Sequence, residues 1–369
     1  MENLKYYVLW IKDNKMLMQY MDWYYDILRK KIDNISNIEI KNKLLLLLND
    51  KSFILCTDNS SRIEYLYLLS TWEAELYWHE KIINNFLNDI DYYLKNNNLY
   101  IENSKKIKGT NIYLSEFDRN PYNWLETHPD HFKSWTKLWY WDKNGLYWLN
   151  IYSKAFAILK NIDRGIYDEL NFIIKKIIPI WTEKDVHNSA SYKEAIGHLY
   201  MWLTTWNSDG NYLVIQCLEA LIHESSHNKL NLVNKFDKIL LNNFDLKYYS
   251  PYRPDARHLW WVFLWVHAFV PTIYTLFKYY KENNILDDHF LEKLLVYNIK
   301  NNLGLKVLSK HAKFTYIGDE IIKEVHMVMN LTNLLIKDLN IDSNILWLAK
   351  EKVINHFKKV KKDYSYLEY

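Results

Sequence analysis

The chain has 369 residues, 49% of them hydrophobic and 17% aromatic, enough for a sizeable core and too apolar for a disordered chain. Its 47 Lys and Arg nearly balance 44 Asp and Glu, giving a formal net charge of +3, which argues against a nucleic-acid partner held by bulk charge. Seven Gly make up about 2% of the chain against a usual share of roughly 7%, and neither GxGxxG nor GxxxxGKS/T occurs, which argues against nucleotide-dependent α/β enzymes.

Two cysteines, Cys56 and Cys217, cannot build a disulfide framework and suit a reducing cytoplasm. The N-terminal MENLKYYVLWIKDNK carries an acidic residue at its second position and no long apolar run, so no signal peptide is expected. The longest apolar stretch, Leu259 to Val270, has 12 residues, against about 20 needed to cross a bilayer. The expectation is a cytoplasmic protein with no membrane and no nucleic-acid partner; the oligomeric state is not legible.

In chain order, residues 1–184 read as a helical N-terminal region, with apolar spacing such as Tyr65, Leu68, Trp72, Leu76 and His79. Within it, residues 96–130 are polar and irregular, a predicted loop excursion, and helical patterning resumes from Phe132 to about Ile178. Residues 185–285 form the predicted core. There HNSAS reads as a turn, Ala195 to Thr204 as an extended strand with Gly197 inside it, and Ser208, Asp209 and Gly210 as stop and N-cap for a helix from Asn211 to about Val233. A loop, YYSPYRPDARH, leads to an unusually apolar helix from Leu259 to Tyr280, interrupted at Pro271. Residues 286–369 are amphipathic helices ending in the Lys-rich stretch Lys350 to Lys362, read as a solvated face around Val353, Ile354 and Phe357. The fold class is mainly α.

One motif carries chemistry: His223-Glu224-Ser225-Ser226-His227, inside the predicted helix. Residues four apart share a helix face, so both imidazoles reach one metal ion with Glu224 beside them. A strand followed by an HExxH helix is the order that zincin-like folds use, and the edge strand there can hold an extended peptide.

The third ligand separates the chemistries. A metzincin would continue with Gly and His, but Leu230 and Val233 stand there, which excludes that class. A thermolysin-like zinc peptidase takes a Glu from a following helix, yet no Glu lies between Glu224 and Glu282; the acids nearby are Asp237, Asp245 and Asp255. The next helix offers His267 within LWWVFLWVHAFVP, with His258 and Asp255 as rivals. Three imidazoles suit Zn, Fe, Ni or Cu about equally. Arg253 and Arg257 favour an anionic co-ligand, because guanidinium pairs with carboxylate bidentately; the bland alternative is that they cap helix ends or pair with Asp255.

The runs HNSASYKEAIGHLY, LEALIHESSHNKL and YYSPYRPDARHLWWVFLWVHAF resemble the HExxH-domain family of peptide natural-product gene clusters. The match covers roughly Asp185 to Tyr280, about a quarter of the chain. The resemblance implies a small zincin-like core of one strand and the HExxH helix within the helical protein. It also implies an iron(II)- and 2-oxoglutarate-dependent hydroxylase acting on a ribosomally made precursor peptide, typically at a side-chain β-carbon. His223 and His227 match the motif histidines, His267 the downstream one, and Arg257 the loop Arg. The Pro expected after that Arg is His258 here and the usual Gly near Val262 is absent, so Arg253-Pro254, four residues earlier, is the other candidate for the far carboxylate of 2-oxoglutarate. In this reading Glu224 orients a ligand or water.

The alternative is a zinc metallopeptidase on the same His pair, with Glu224 as general base and Asp245 or Asp255 as third ligand. A non-catalytic helical scaffold that binds peptide is the third class, which nothing in an intact HExxH favours. The missing downstream Glu and the Arg-bearing loop lean toward the oxygenase.

Overall fold

The computed structural model describes residues 22, 26–35, 38–49, 104–115, 136–138, 144–182, 189–193, 196–202, 210–235, 237–283 and 287–364. The apolar spacing from Tyr65 to His79, most of the 96–130 excursion, the ends of the predicted strand and the N-cap residues Ser208 and Asp209 lie outside them. The described residues are mainly helical, with one small mixed sheet.

The chain divides into two compact units. One comprises Asp13–Ile158 and Tyr167–Leu232, the other Met1–Lys12, Leu159–Ile166 and Val233–Tyr369. The predicted core, 185–285, is therefore shared: its residues up to Leu232 belong to the first unit and the rest to the second.

Helices of the first unit include α1 (Ile38–Asn49), most of α2 (Asn144–Ile162) and α3 (Arg164–Ile173), and nearly all of α4 (Gly210–Asn234). The sheet is built on β4 (Lys176–Thr182), whose run KIIPIWT is rich in β-branched residues that favour pleated backbone. β2 (Tyr113–Ser115) pairs parallel with Lys176 and Ile177, and β3 (Thr136–Leu138) pairs antiparallel with Ile180 to Thr182. Pro179 falls between those two stretches, so its missing amide breaks no pair with either strand. β5 (His198–Trp202) runs parallel along β4 from Lys176↔His198 to Ile180↔Trp202. β1 (Ser104–Lys106) closes antiparallel on β2.

These strands correct two expectations. Phe132 to Ile178 is not one helical run: β3, two helices and the start of β4 occupy it. The described part of the 96–130 excursion is the β1–β2 hairpin, a pairing that period-3.6 patterning does not report. β5 lies inside the predicted strand 195–204, and α4 matches the predicted helix to within a residue at each end. Alternating residues of β4 and β5 put Ile178, Ile180, Tyr200 and Trp202 into one apolar cluster on one sheet face.

The second unit is helical: α5 (Leu259–Asn283), α6 (Asp288–His311), α7 (Tyr316–Asp338) and α8 (Ser343–Asp363). Each of the last three starts at a side chain that accepts an orphan helix amide: Asp287 from Phe290, Thr315 from Gly318 and Asp342 from Asn344. α5 packs on α6 and α7, and α8 packs on α6. The Lys-rich stretch lies on α8, where Val353 and Val360 are buried and Ile354 is half exposed.

α5 continues without interruption through Pro271, contrary to the sequence expectation. The missing proline amide costs His267 its usual carbonyl partner, but burial on nearly every side, from Leu259 to Tyr279, holds the backbone helical. At 25 residues α5 is long and apolar enough to cross a membrane by length and composition, which corrects the reading from the 12-residue run. Its most apolar window is 83% buried within the protein, as in a core helix. Gly304 of α6 allows the close approach: a Cβ there would stand 2.5 Å from Val266 Cγ2.

Candidate metal centre

α4 places His223 and His227 one turn apart, and their Nε2 atoms stand 3.0 Å apart with the rings edge to face. Two lone pairs do not face each other at that distance unless a proton or a cation lies between them. Two nitrogens each about 2.0–2.1 Å from one metal ion are separated by roughly 2.9–3.4 Å, so the donor pair fits a divalent transition metal. Burial pushes His227 down to about 3, which keeps its imidazole neutral, the form that ligates.

Glu224 is buried beside the pair, and burial pushes its carboxyl up to about 8 despite the hydroxyl of Ser191, which donates to Oε2 at 3.1 Å and lowers it. The two serines between the histidines turn inward on their own helix. Ser225 and Ser226 both donate to the carbonyl of Ile222, at 3.0 and 2.7 Å, so these polar residues fit a buried turn.

Two further residues, not singled out in the sequence, fix the helix against β5. Asn228 donates to the carbonyl of His198 at 2.9 Å and accepts the amide of Gly197 at 2.5 Å. Gly197 has φ +84°, the left-handed region that favours glycine, and so delivers that amide at little strain. Lys229 pairs with Glu169 of α3 at 2.6 Å, both almost buried. The only signal in the sequence was helical spacing: Asn228 follows Glu224 by four residues and shares its face.

The other predicted residues lie in the second unit. His267 is buried in α5, with the Phe263 ring at 6.1 Å between centroids. Arg257 and Arg253 flank Asp255: Arg257 Nε is 2.7 Å from Oδ2 and Arg253 Nε 3.8 Å from Oδ1. Asp255 is thus engaged by two guanidiniums. His258 accepts the amides of Trp261 and Val262 on its carbonyl, opening α5, and Asp245 lies on an exposed loop. Among the described residues no group of three or more His, Cys, Asp or Glu side chains comes together in metal-holding geometry.

The strand's free edge is also covered. Ala190 forms an antiparallel bridge with Tyr200, and the Ser189 hydroxyl accepts the Trp202 amide at 3.0 Å. β5 therefore does not present an open edge to a peptide, as the sequence suggested, because a neighbouring segment of the same chain already satisfies it.

No family model matches the chain, and no curated protein matches it.

Proposed function

We propose that this protein is an iron(II)- and 2-oxoglutarate-dependent dioxygenase that hydroxylates a side chain, at the β-carbon, of a ribosomally synthesised precursor peptide, with a zincin-like strand-plus-helix core as its site. The observation that carries the reading is the converging imidazole pair of His223, buried, and His227, partly buried, on a helix clamped to β5. His223 and His227 would hold the metal; His267 is the third ligand that the family resemblance implies. Iron with 2-oxoglutarate supplies oxidation of an unreactive C–H bond by dioxygen.

The chain's own residues do the rest. Burial around α4 shields His223 and keeps the His227 imidazole neutral. Ser191 donates to the carboxyl of Glu224 and holds it beside the pair, where it would orient a ligand or a water by hydrogen bonding. Arg257 or Arg253 would meet the far carboxylate of 2-oxoglutarate, in exchange for the carboxylate of Asp255 that each now faces.

The test is anaerobic reconstitution with Fe(II), followed by absorption titration with 2-oxoglutarate. A weak charge-transfer band near about 500 nm is the expectation for a keto acid chelated on ferrous iron. No band, with tight zinc binding and peptide cleavage lost in Glu224→Gln, returns the zinc peptidase in its place.

A further inference from the structure

Among the described residues, the outer edge of β5 is met at Tyr200 by one backbone partner and at Trp202 and His198 by side chains. At Tyr200 the pairing is a true antiparallel bridge: the Ala190 amide donates to the Tyr200 carbonyl at 2.8 Å and the Tyr200 amide to the Ala190 carbonyl at 2.9 Å. At Trp202 the partner is a side chain, the Ser189 hydroxyl, 3.0 Å from the amide and 3.4 Å from the carbonyl. At His198 it is again a side chain, the Asn228 amide, on the carbonyl at 2.9 Å.

The segment's side chains alternate as a bound strand's do. Ala190 and Tyr192 pack on the cluster of Ile178, Ile180, Tyr200 and Trp202, and the Tyr192 ring sits edge-on to Tyr200 at 5.5 Å between centroids. Ser191, between them, turns to the other side and donates to Glu224 of the HExxH motif. The segment thus lies where an extended peptide on β5 would lie, with its middle residue on the motif carboxyl. Ser189 to Tyr192 are all partly exposed, so the segment is reachable from solvent.

We propose that Ser189–Tyr192 is an internal mimic of the peptide substrate: it occupies the edge of β5 and is displaced when a peptide pairs there. The peptide that replaces it carries a small residue opposite Tyr200, a hydroxyl-bearing residue next toward Glu224, and an aromatic residue after that. This rests on the peptide-modifying reading above and adds to it the register and side-chain pattern of the occupant. Exchange of one strand for another on an edge keeps the main-chain hydrogen bonds and lets the alternating side chains set specificity. The tethered segment competes at an effective concentration in the millimolar range, so the apparent peptide affinity is the intrinsic affinity multiplied by the fraction of time the edge is open.

The probe is a capped synthetic peptide of the segment's own sequence, NSASYK, with a scrambled peptide as control, titrated into the metal-free full chain. Ala190→Pro removes the amide that donates to Tyr200, and Ser189→Ala removes the hydroxyl at Trp202. Circular dichroism identifies which variants are folded, and Ser189→Ala serves if Ala190→Pro is not. The expected result is at least tenfold faster hydrogen exchange at the Tyr200 amide in the folded variant, and at least tenfold tighter binding of the peptide than in the wild type. Bound peptide then restores protection at Tyr200. Unchanged exchange at Tyr200, or peptide affinity equal to that of the scrambled control, overturns the proposal. The iron band is measured separately: peptide exchange without the band keeps the mimic and drops the oxygenase, and the band without peptide exchange does the reverse.

Discussion

The 3.0 Å between His223 Nε2 and His227 Nε2 makes each imidazole dependent on the other and on what lies between them. Replacing either with Ala should abolish tight binding of Fe(II) or Zn(II), measured by metal content after dialysis; stoichiometric metal in both variants would remove the site from α4. Glu224 gives a second residue-scale test, in metal-free protein. Its carboxyl is raised by burial from an ordinary 4.5 to about 8, so the folded state favours the protonated form. Its contribution to stability is therefore complete below pH 4.5 and is lost as pH rises toward 8. Glu224→Gln should flatten the stability profile over that window and leave the variant more stable at its upper end, by on the order of a few kcal/mol. Denaturant melts across the window check this, and a parallel loss in variant and wild type would contradict it.

Elements are held by a few contacts that join residues far apart in sequence. Asn228 ties α4 to the start of β5 through two hydrogen bonds, and Asn228→Ala would leave the Gly197 amide and His198 carbonyl without that partner. A loss of about 2–3 kcal/mol is expected, read by urea unfolding. At Gly304 the constraint is volume: an added methyl meets Val266 Cγ2 at 2.5 Å. Gly304→Ala should cost about 1–3 kcal/mol, and most of that should return when Val266→Ala is added; additive losses would place the strain elsewhere. Helix existence was legible here, since α4 and the C-terminal helices follow their apolar period. The sheet was less so, because β4 reads as an apolar run like any other and its partners lie as far away as Tyr113 and Trp202.

At the scale of the whole molecule, each compact unit has its own fully buried elements. α5 provides them in the second unit, with Val262, Phe263, Val266, Val270, Ile273 and Leu276 at or near zero exposure, and β4 in the first, with Ile177 and Ile178. Their amides should exchange with solvent only in global unfolding of their unit. The Tyr200 amide, whose acceptor is Ala190, should exchange faster than that of Ile178 in the same sheet. Hydrogen-exchange mass spectrometry resolves the two, and early exchange across α5 would show that it is not a core helix.

By itself the sequence determined the helical class, the position of α4, the spacing that puts His223 and His227 on one face and the presence of a strand just before them. These follow from interactions within a few residues, which local periodicity records. Tertiary structure alone decided that Pro271 leaves α5 unbroken and that Ser189 to Tyr192 cover the edge of β5. Each of those outcomes depends on burial or on pairing between backbone groups brought together by the fold, and no local pattern of residue types encodes which groups will meet.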